Sequence, residues 1–429
     1  RVNTTTIGDQ RNVAVSTLTN GDFIVTWASF DEVQNEPVMI CAQRYNSAGM
    51  AQGSEFSLGT ASTYEGNPAV TGLANGGFVM TWQSKTETGS WDVYGQIFNG
   101  SAVAQGGEFL INTTTASHQR VPKVTGLANG DFVVTWSSDG QDGSSYGVYG
   151  RHYSSTGVEQ GPEFKINTYT ANSQEYSSVT ALANGGFVVT WESMGQDGSS
   201  WGVYGQRYNS AGVAQGVEFR VNSQTGNIQD QSFVTGLADG GFVVVWQSYT
   251  QDADGSWGVY GQRYNSAGVA QGAEFHINRY ISDTQGSPVV TGLADGGFVV
   301  IWNSLNQDGS GFGVYGQRYD STGAVKGDEF RVNTTTAYAQ SLPSVEATND
   351  GGFVVAWQSL NQDGSGYGVY MQRFDDNGVA ALDTEVRLGA TAVSAQGTNR
   401  SDVIYGNTLA STISAGSGHD TVFGGNGNN

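Results

Sequence analysis

The sequence predicts an all-β protein, a seven-bladed β-propeller of four-stranded antiparallel blades. A phenylalanine, three further residues and a tryptophan recur at intervals of 54 to 56 residues. Each interval holds four short stretches that alternate apolar and polar residues, as half-buried strands do, and none shows the apolar period of a helix. Seven such units close a ring without a free sheet edge. The repeated tryptophans are Trp27, Trp82, Trp136, Trp191, Trp246, Trp302 and Trp357.

The fourth unit illustrates the strand assignment. We expect its strands at residues 179–183, 187–192, 203–208 and 218–221. The first two are joined by Asn184-Gly185-Gly186, and Asn-Gly supplies the positive φ angles of a tight hairpin turn. An open β-solenoid is the competing architecture, but solenoid coils repeat at much shorter periods. The propeller is therefore favoured, and we assign residues 1–390 to it.

The two ends of this region carry one strand copy too many. The Glu-Phe-x-Val-Asn strand begins the chain as Arg1-Val2-Asn3 and returns in degenerate form as Glu385-Val386-Arg387. One end is expected to complete the blade begun by the other, while the second copy is spare or starts the tail. The sequence leaves both choices open.

Composition excludes several classes of partner. The chain has 18 Lys and Arg against 39 Asp and Glu, a net charge of -21, which disfavours nucleic acid and favours cations. It has no apolar run long enough to insert into a membrane. A single cysteine, Cys41, rules out an internal disulfide and is expected to pack as a small buried residue.

Residues 391–429 follow a different register, with nine residues per repeat from Gly397 onward. Glycines allow tight turns, Asp402 and Asp420 add anionic oxygens, and Ile404 and Val422 follow two positions later as core residues. Oxygen ligands suit Ca²⁺. These segments resemble the glycine- and aspartate-rich nonapeptides of RTX, or haemolysin-type, secreted proteins.

The resemblance implies the start of an RTX-like parallel β-roll, in which repeats two apart stack on the same side. Asp402 and Asp420 would then share one edge with a calcium ion between them. The repeats at 406 and 424 carry Ser411 and Asn429 where Asp is expected, which weakens them. The implied cofactor is Ca²⁺, and the implied ligands are Asp402, Asp420, Asn399, Gly416 and Gly418.

The resemblance also implies a location. RTX proteins are exported, so a secreted, extracellular or cell-surface protein is expected. The 55-residue units themselves resemble the long repeats found upstream of such nonapeptides in large secreted bacterial proteins. That second resemblance indicates an architecture and not an activity.

One loop position carries an aromatic residue in six units. Such a rim offers stacking surfaces for sugar rings, which would make the propeller a lectin module. Packing of blade against blade is the alternative explanation, and regular repetition favours it. The residues are Trp91, Tyr146, Trp201, Trp257, Phe312 and Tyr367.

Two other repeated motifs have structural interpretations. The loop before each rim aromatic reads Gln-Asp-Gly-Ser in most units, as at Asp197, and is expected to be a turn closed by the aspartate side chain. The Gln-Arg pair of the third strand, as at Arg207, is expected to fork onto carboxylate or carbonyl oxygens of the next strand. The repeated glutamate of Glu-Phe is a candidate acceptor.

Catalysis finds little support in the sequence. Its four histidines fall at non-equivalent positions, and no unit is seen to carry a carboxylate pair without a counterpart elsewhere. We therefore predict a secreted, calcium-binding, non-enzymatic structural or adhesive protein of a bacterial surface or extracellular matrix. Its expected partners are copies of itself or cell-surface polysaccharide. A lectin is the alternative, and a polysaccharide-active enzyme, using the deviant residues of the first two units, is less favoured: Asp31, Glu32, Glu36, Glu87 and Asp92.

Overall fold

A computed structural model describes residues 1–30, 36–59, 64–85, 89–252 and 254–381, and beyond them the backbone of five short strands. The described chain is all-β, and its four-stranded antiparallel sheets form the seven blades of a β-propeller. The predicted fold is confirmed. Within these residues no helix is long and apolar enough to span a membrane.

The strands follow one another in chain order, four to a blade. Blades 1 and 2 contain β1 (Gln10–Thr17), β2 (Phe23–Phe30), β3 (Pro37–Tyr45), β4 (Ala51–Leu58), β5 (Glu65–Gly72), β6 (Phe78–Lys85), β7 (Trp91–Phe98) and β8 (Phe109–Leu110). Blades 3 and 4 contain β9 (Gln119–Gly126), β10 (Phe132–Asp139), β11 (Tyr146–Tyr153), β12 (Phe164–Lys165), β13 (Gln174–Ala181), β14 (Phe187–Met194), β15 (Trp201–Tyr208) and β16 (Phe219–Arg220).

Blades 5 to 7 continue the pattern. They contain β17 (Gln229–Gly236), β18 (Phe242–Tyr249), β19 (Trp257–Tyr264), β20 (Phe275–His276), β21 (Gln285–Gly292), β22 (Phe298–Leu305), β23 (Phe312–Tyr319), β24 (Val325–Arg331), β25 (Gln340–Ala347), β26 (Phe353–Leu360) and β27 (Tyr367–Phe374). Blade 7 has three strands of its own. The first strand of every blade lies innermost.

The hydrophobic core consists of layers between adjacent blades. Alternate residues of β14 face opposite sides, so Phe187 and Trp191 pack against blade 3 while Val188 packs against blade 5. Trp191 is completely buried. Burying one such side chain contributes roughly 1.5–3 kcal/mol, so the repeated Phe and Trp residues hold the ring together.

The amino terminus closes the ring. Val2 donates its backbone N–H to the Val369 carbonyl oxygen at 2.8 Å, and the Val369 N–H donates to the Asn3 side-chain oxygen at 2.8 Å. Val2 packs in the core layer between blades 7 and 1. The first residues therefore take the fourth-strand position of blade 7, which settles one choice that the sequence left open.

A repeated asparagine joins one blade to the next at five of the seven seams. In blade 4 the Val203 N–H donates to Asn222 Oδ1 at 2.8 Å, and Asn222 Nδ2 donates to Gln229 Oε1 of blade 5 at 3.1 Å. The Gln-Asp-Gly-Ser loop is a turn as predicted, since the Ser199 N–H donates to Asp197 Oδ1 at 3.0 Å. Its carboxylate is a structural group.

The arginine of the third strand reaches the following blade. Arg207 donates to the carbonyl oxygen of Ser266 at 2.8 Å, and Arg263 donates to that of Ser321 at 2.8 Å. The arginines thus donate to carbonyl oxygens, as expected, but these lie in the following blade and not in the next strand. The expected glutamate acceptor is not used, because Glu218 instead accepts the Thr168 N–H at 2.7 Å and bonds Gln196 at 2.5 Å.

Five short strands follow the propeller and pair in parallel. Strands β28 (Thr384–Arg387), β30 (Asp402–Tyr405) and β32 (Thr421–Phe423) form one sheet, and β29 (Ser394–Gln396) and β31 (Thr412–Ser414) form another. Thr384 lies opposite Asp402, and Val403 lies opposite Thr421. Partners are thus two nonapeptides apart, as the β-roll interpretation predicts, and the second copy of the extra strand belongs to this segment.

Candidate functional site

The seven innermost strands enclose a central channel with a cavity of about 680 Å³. Each of these strands contains a bulge near its start, where its register against the second strand shifts opposite the buried tryptophan. At every bulge one residue other than glycine has a positive φ, between 49° and 58°. The seven are Asn12, Asn67, Val121, Tyr176, Gln231, Ser287 and Leu342.

A positive φ is a strained conformation for β-branched or bulky residues such as Val121 and Leu342. Four of the seven bulges are anchored by the preceding blade, whose residue after the tryptophan accepts the bulge N–H. Gln83 Oε1 accepts from Val121 at 2.9 Å, and Glu192 Oε1 accepts from Gln231 at 2.6 Å. The channel mouth is therefore a ring of bulges, four of which are held by side chains of neighbouring blades.

Residues that differ from their equivalents in the other blades are concentrated in one part of this channel mouth. Glu192 is the only ionisable residue at the position after the tryptophan, where the other blades have Ala28, Gln83, Ser137, Gln247, Asn303 and Gln358. The position before the bulge carries a carboxylate only in blades 4 and 5. It is occupied by Arg11, Gly66, Arg120, Glu175, Asp230, Gly286 and Ser341.

Three carboxylates, Glu175, Glu192 and Asp230, thus gather where blades 4 and 5 meet. Asp230 Oδ1 accepts a hydrogen bond from Gln247 at 2.8 Å, and Glu175 pairs with Arg120 at 3.2 Å. Glu192 and Asp230 both line the channel cavity. No group of His, Cys, Asp or Glu in the described part of the chain has the arrangement of a metal site, so these carboxylates do not resemble one.

Burial sets the protonation of the pair that lines the cavity. Burial raises the pKa of Glu192 well above its ordinary value, and the nearby Asp230 charge raises this pKa further. Burial also raises the pKa of Asp230, to about 6, against the opposing hydrogen bond from Gln247. Burial therefore favours the protonated form of Glu192, whereas Asp230 ionises near pH 6. Two carboxyl groups with raised pKa values, one of them an acid candidate and the other a base candidate, thus lie in the same cavity.

The predicted aromatic rim lies on the same face as the channel mouth. Its six residues begin the third strands and are half-buried. The Arg120 guanidinium lies 4.0 Å from the centroid of the Tyr146 ring, and that of Arg11 lies 4.9 Å from the Tyr367 ring. Arg120 therefore links the rim to Glu175. Trp201 and Trp257 belong to blades 4 and 5, the blades that carry the carboxylates.

Of the predicted calcium ligands, Asp402 begins strand β30, and only its backbone is described. Asn399, Gly416, Gly418 and Asp420 lie outside the described residues. The eighteen-residue spacing of Asp402 and Asp420 agrees with the parallel register of β30 and β32, in which Val403 faces Thr421.

A comparison with known families decides the nature of this carboxy-terminal segment. Residues 396–429 match the family model of the RTX calcium-binding nonapeptide repeat, in four copies. The tail carries RTX repeats. The predicted resemblance is confirmed for this segment, which we call the RTX segment, and calcium binding by it is supported. No curated protein matches the chain in sequence.

Solved structures resemble the propeller at the level of the fold. A protein of unknown function from Dyadobacter fermentans is 10% identical, with a TM-score of 0.50, over 86% of this chain and 95% of its own. The NanB sialidase of Streptococcus pneumoniae is 8% identical, with a TM-score of 0.48, over 82% and 66%. An α-L-arabinanase of Penicillium chrysogenum is 13% identical, with a TM-score of 0.49, over 87% and 98%.

These likenesses correct one prediction. The expectation of a non-enzymatic protein is wrong, because propellers similar to this one include a sialidase and an arabinanase. At these identities the likeness itself shows the fold alone. The sequence analysis also overlooked two residues, since Glu192 has no carboxylate counterpart in any other blade and Asp230 has one only in Glu175. An alignment of the seven units at these two positions would have found them.

Proposed function

We propose that the propeller is a glycoside hydrolase whose acid and base are Glu192 and Asp230. The observation that carries the proposal is that Glu192 and Asp230, which depart from the repeat in blades 4 and 5, line one cavity in environments that raise the pKa of both. Most glycoside hydrolases use a pair of carboxyl groups, one protonated and one ionised. The deviant residues of the first two units are not part of this pair.

In the proposed reaction the protonated Glu192 donates to the glycosidic oxygen as its bond to the sugar carbon breaks. Glu192 Oε1 is held by the Gln231 N–H at 2.6 Å, so its second oxygen carries the proton. The ionised Asp230 removes a proton from a water molecule, and the water oxygen forms the new bond to the same sugar carbon, so one water is consumed for each bond cleaved. Return of the proton from Asp230 to Glu192 through solvent restores the starting state. Gln247 orients Asp230 through its hydrogen bond of 2.8 Å.

The saccharide would lie across the face that carries the aromatic rim. Tyr176 lies at the channel mouth between these groups, and its side chain is 46% exposed. Trp201 and Trp257 supply half-buried rings in the same two blades. Aromatic faces beside polar groups are suited to sugar stacking. The proposal therefore includes saccharide binding by the aromatic rim, which was the basis of the lectin alternative.

The decisive variant is Glu192→Gln, since glutamine stands at this position in blades 2, 5 and 7 and keeps the acceptor for the bulge N–H. We expect the variant to fold as the wild type does and to lose hydrolysis by about 10²-fold or more, because the general acid is gone. The assay measures release of reducing ends from a panel of polysaccharides, and of phenol from aryl glycosides.

The matched control is Glu175→Gln, which removes the third carboxylate but leaves the pair. The wild-type rate should rise with pH as Asp230 ionises near its pKa of about 6, and fall at higher pH as Glu192 loses its proton. Unchanged hydrolysis in Glu192→Gln contradicts the proposal. So does a wild-type protein without activity on the whole panel.

For the RTX segment we propose a calcium site that includes Asp402 and Asp420, and a secreted, extracellular protein. Because a ligand bound only by the folded form stabilises it, calcium should raise the melting temperature of this segment in the roughly micromolar to millimolar range. The measurement is thermal unfolding in CaCl₂ and in excess EDTA. Asp402→Ala should abolish the response, and a melting curve identical in both solutions would contradict the site.

A further inference from the structure

Among the described residues that line the channel below the carboxylates, one is basic. Two positions beyond the bulge residue, each blade places one side chain against the cavity, and in blade 3 this is Lys123. The other six blades have small or apolar residues there. They are Ala14, Ala69, Ser178, Phe233, Val289 and Ser344. Lys123 is therefore a departure from the repeat that is independent of Glu192 and Asp230.

Lys123 has no hydrogen-bond acceptor and no ion-pair partner among the described residues. Burial lowers the pKa of its amine, and no charged group contributes to that shift. An ammonium group inside a protein is costly unless an anion compensates it. Packing does not require a lysine here, because blades with alanine and serine at this position fold in the same way.

The other charged groups of the cavity limit the choice of anion. Glu192 and Asp230 lie at the mouth, and Glu346 lies two residues beyond the Lys123 level in blade 7. Glu346 already has a hydrogen-bond partner, since its Oε1 accepts from the Thr17 hydroxyl of blade 1 at 3.4 Å. A dianion would face the ionised Asp230 and would exceed the single positive charge of Lys123, which disfavours phosphate. An anion with a single negative charge matches the single positive charge of Lys123.

The walls at the Lys123 level are partly apolar. Phe233 and Val289 lie in blades 5 and 6, blades 1 and 2 have alanine, and the hydroxyl-bearing Ser178 and Ser344 complete the ring. A site with one cation, an apolar wall and a few hydroxyls accommodates a carboxylate with a small organic body. We propose that the channel binds a small organic monocarboxylate, whose carboxylate pairs with the Lys123 ammonium.

The chain has only four lysines, so its lysine NMR spectrum can be read residue by residue: Lys85, Lys123, Lys165 and Lys326. The full chain is labelled with ¹³C at the lysine Cε and titrated with benzoate, acetate and inorganic phosphate at constant ionic strength. The signal absent from Lys123→Met identifies the channel lysine. Lys165→Met, an exposed lysine of the same blade, is the matched control.

We expect the Lys123 signal to move saturably with benzoate and less with acetate, while the other three signals stay in place. Its apparent pKa should rise in saturating benzoate, because the carboxylate stabilises the ammonium form. Benzoate should also raise the melting temperature of wild type and Lys165→Met, but not of Lys123→Met.

Equal small shifts of all four signals, or no saturable shift of the Lys123 signal with either carboxylate, would overturn the proposal. Tighter binding of phosphate than of benzoate would also overturn it, because the site would then be a dianion site. The wild-type titration does not depend on how well the variant folds. It is also independent of hydrolysis, since none of the three probes is a glycoside.

Discussion

Trp191 and Glu192 are neighbours in sequence and belong to two contrasting regions of the molecule. Trp191 points into the core layer between blades 3 and 4, where each blade has the same tryptophan. Glu192 points to the channel, where the other blades have neutral residues. The repeated residues build the ring, and the residues that break the repeat mark its chemistry. Substitutions of core residues should therefore lower stability, whereas substitution of the channel residue Glu192 should lower activity and leave stability unchanged.

The largest effect on stability is expected in the repeated core. Trp191→Ala should lower the free energy of unfolding by about 3–5 kcal/mol, since it leaves a large cavity between two blades. Urea denaturation followed by circular dichroism measures this loss. Glu192→Gln, one residue away, should not destabilise the protein. A comparable loss of unfolding free energy in both variants would contradict the distinction between core and channel residues.

The next effect tests the polar link between blades. Asn222→Ala leaves the buried Val203 N–H and Gln229 Oε1 without their partner, at a cost of about 1–3 kcal/mol. The same denaturation experiment applies. Asn209→Ala, which alters an exposed hairpin turn of the same blade, is the control and should cost less. Equal losses of unfolding free energy in the two variants would mean that the inter-blade hydrogen bonds of Asn222 add no more stability than an exposed turn does.

The seam between blades 7 and 1 gives a pH-dependent effect. Glu346 replaces the Ser or Thr of other blades, and burial raises its pKa from 4.5 to about 7. The folded state therefore holds a proton that the unfolded chain releases between these pH values, so stability falls as pH rises through this window. The loss should be about 2 kcal/mol, allowing for water in the channel.

Glu346→Thr should remove this pH dependence. The variant is expected to be more stable than wild type at pH 8 but not at pH 4, as measured by melting curves across pH. Asp328→Asn, an exposed carboxylate, serves as the control. Parallel pH profiles for wild type and Glu346→Thr would show that Glu346 does not titrate in this window.

The smallest effect on stability is expected at the rim. Trp201→Ala should cost about 1 kcal/mol, since the ring is only half-buried. Its effect on saccharide affinity should be larger, because blade 4 carries two of the carboxylates. Trp91→Ala, in blade 2 and so two blades away from Trp201, is the matched variant and should bind saccharide as wild type does. Isothermal titration calorimetry with the polysaccharide that serves as substrate compares the affinities of the two variants. Equal losses of affinity would mean that the rim aromatics serve packing and not binding.

Much of the architecture was predictable because it is repeated. The spacing of the tryptophans predicted the blades, and Asn-Gly pairs predicted the hairpin turns, as at Gly185 with its φ of 84°. The bulges were not predicted, because Val121 and Leu342 carry no sign of a positive φ. The carboxylate pair was missed for a different reason. Its members lie 38 residues apart and come together only when blade 4 packs against blade 5.

The sequence by itself determined the number of blades, the strands within them and the RTX segment, because periodic burial and glycine turns are local properties of the chain. Only the tertiary structure decided which terminus closes the ring and which side chains enter the channel. Closure depends on a contact between Val2 and Val369. The channel is formed by one strand from each of seven blades, so the charges that meet in it are set by packing across the whole ring.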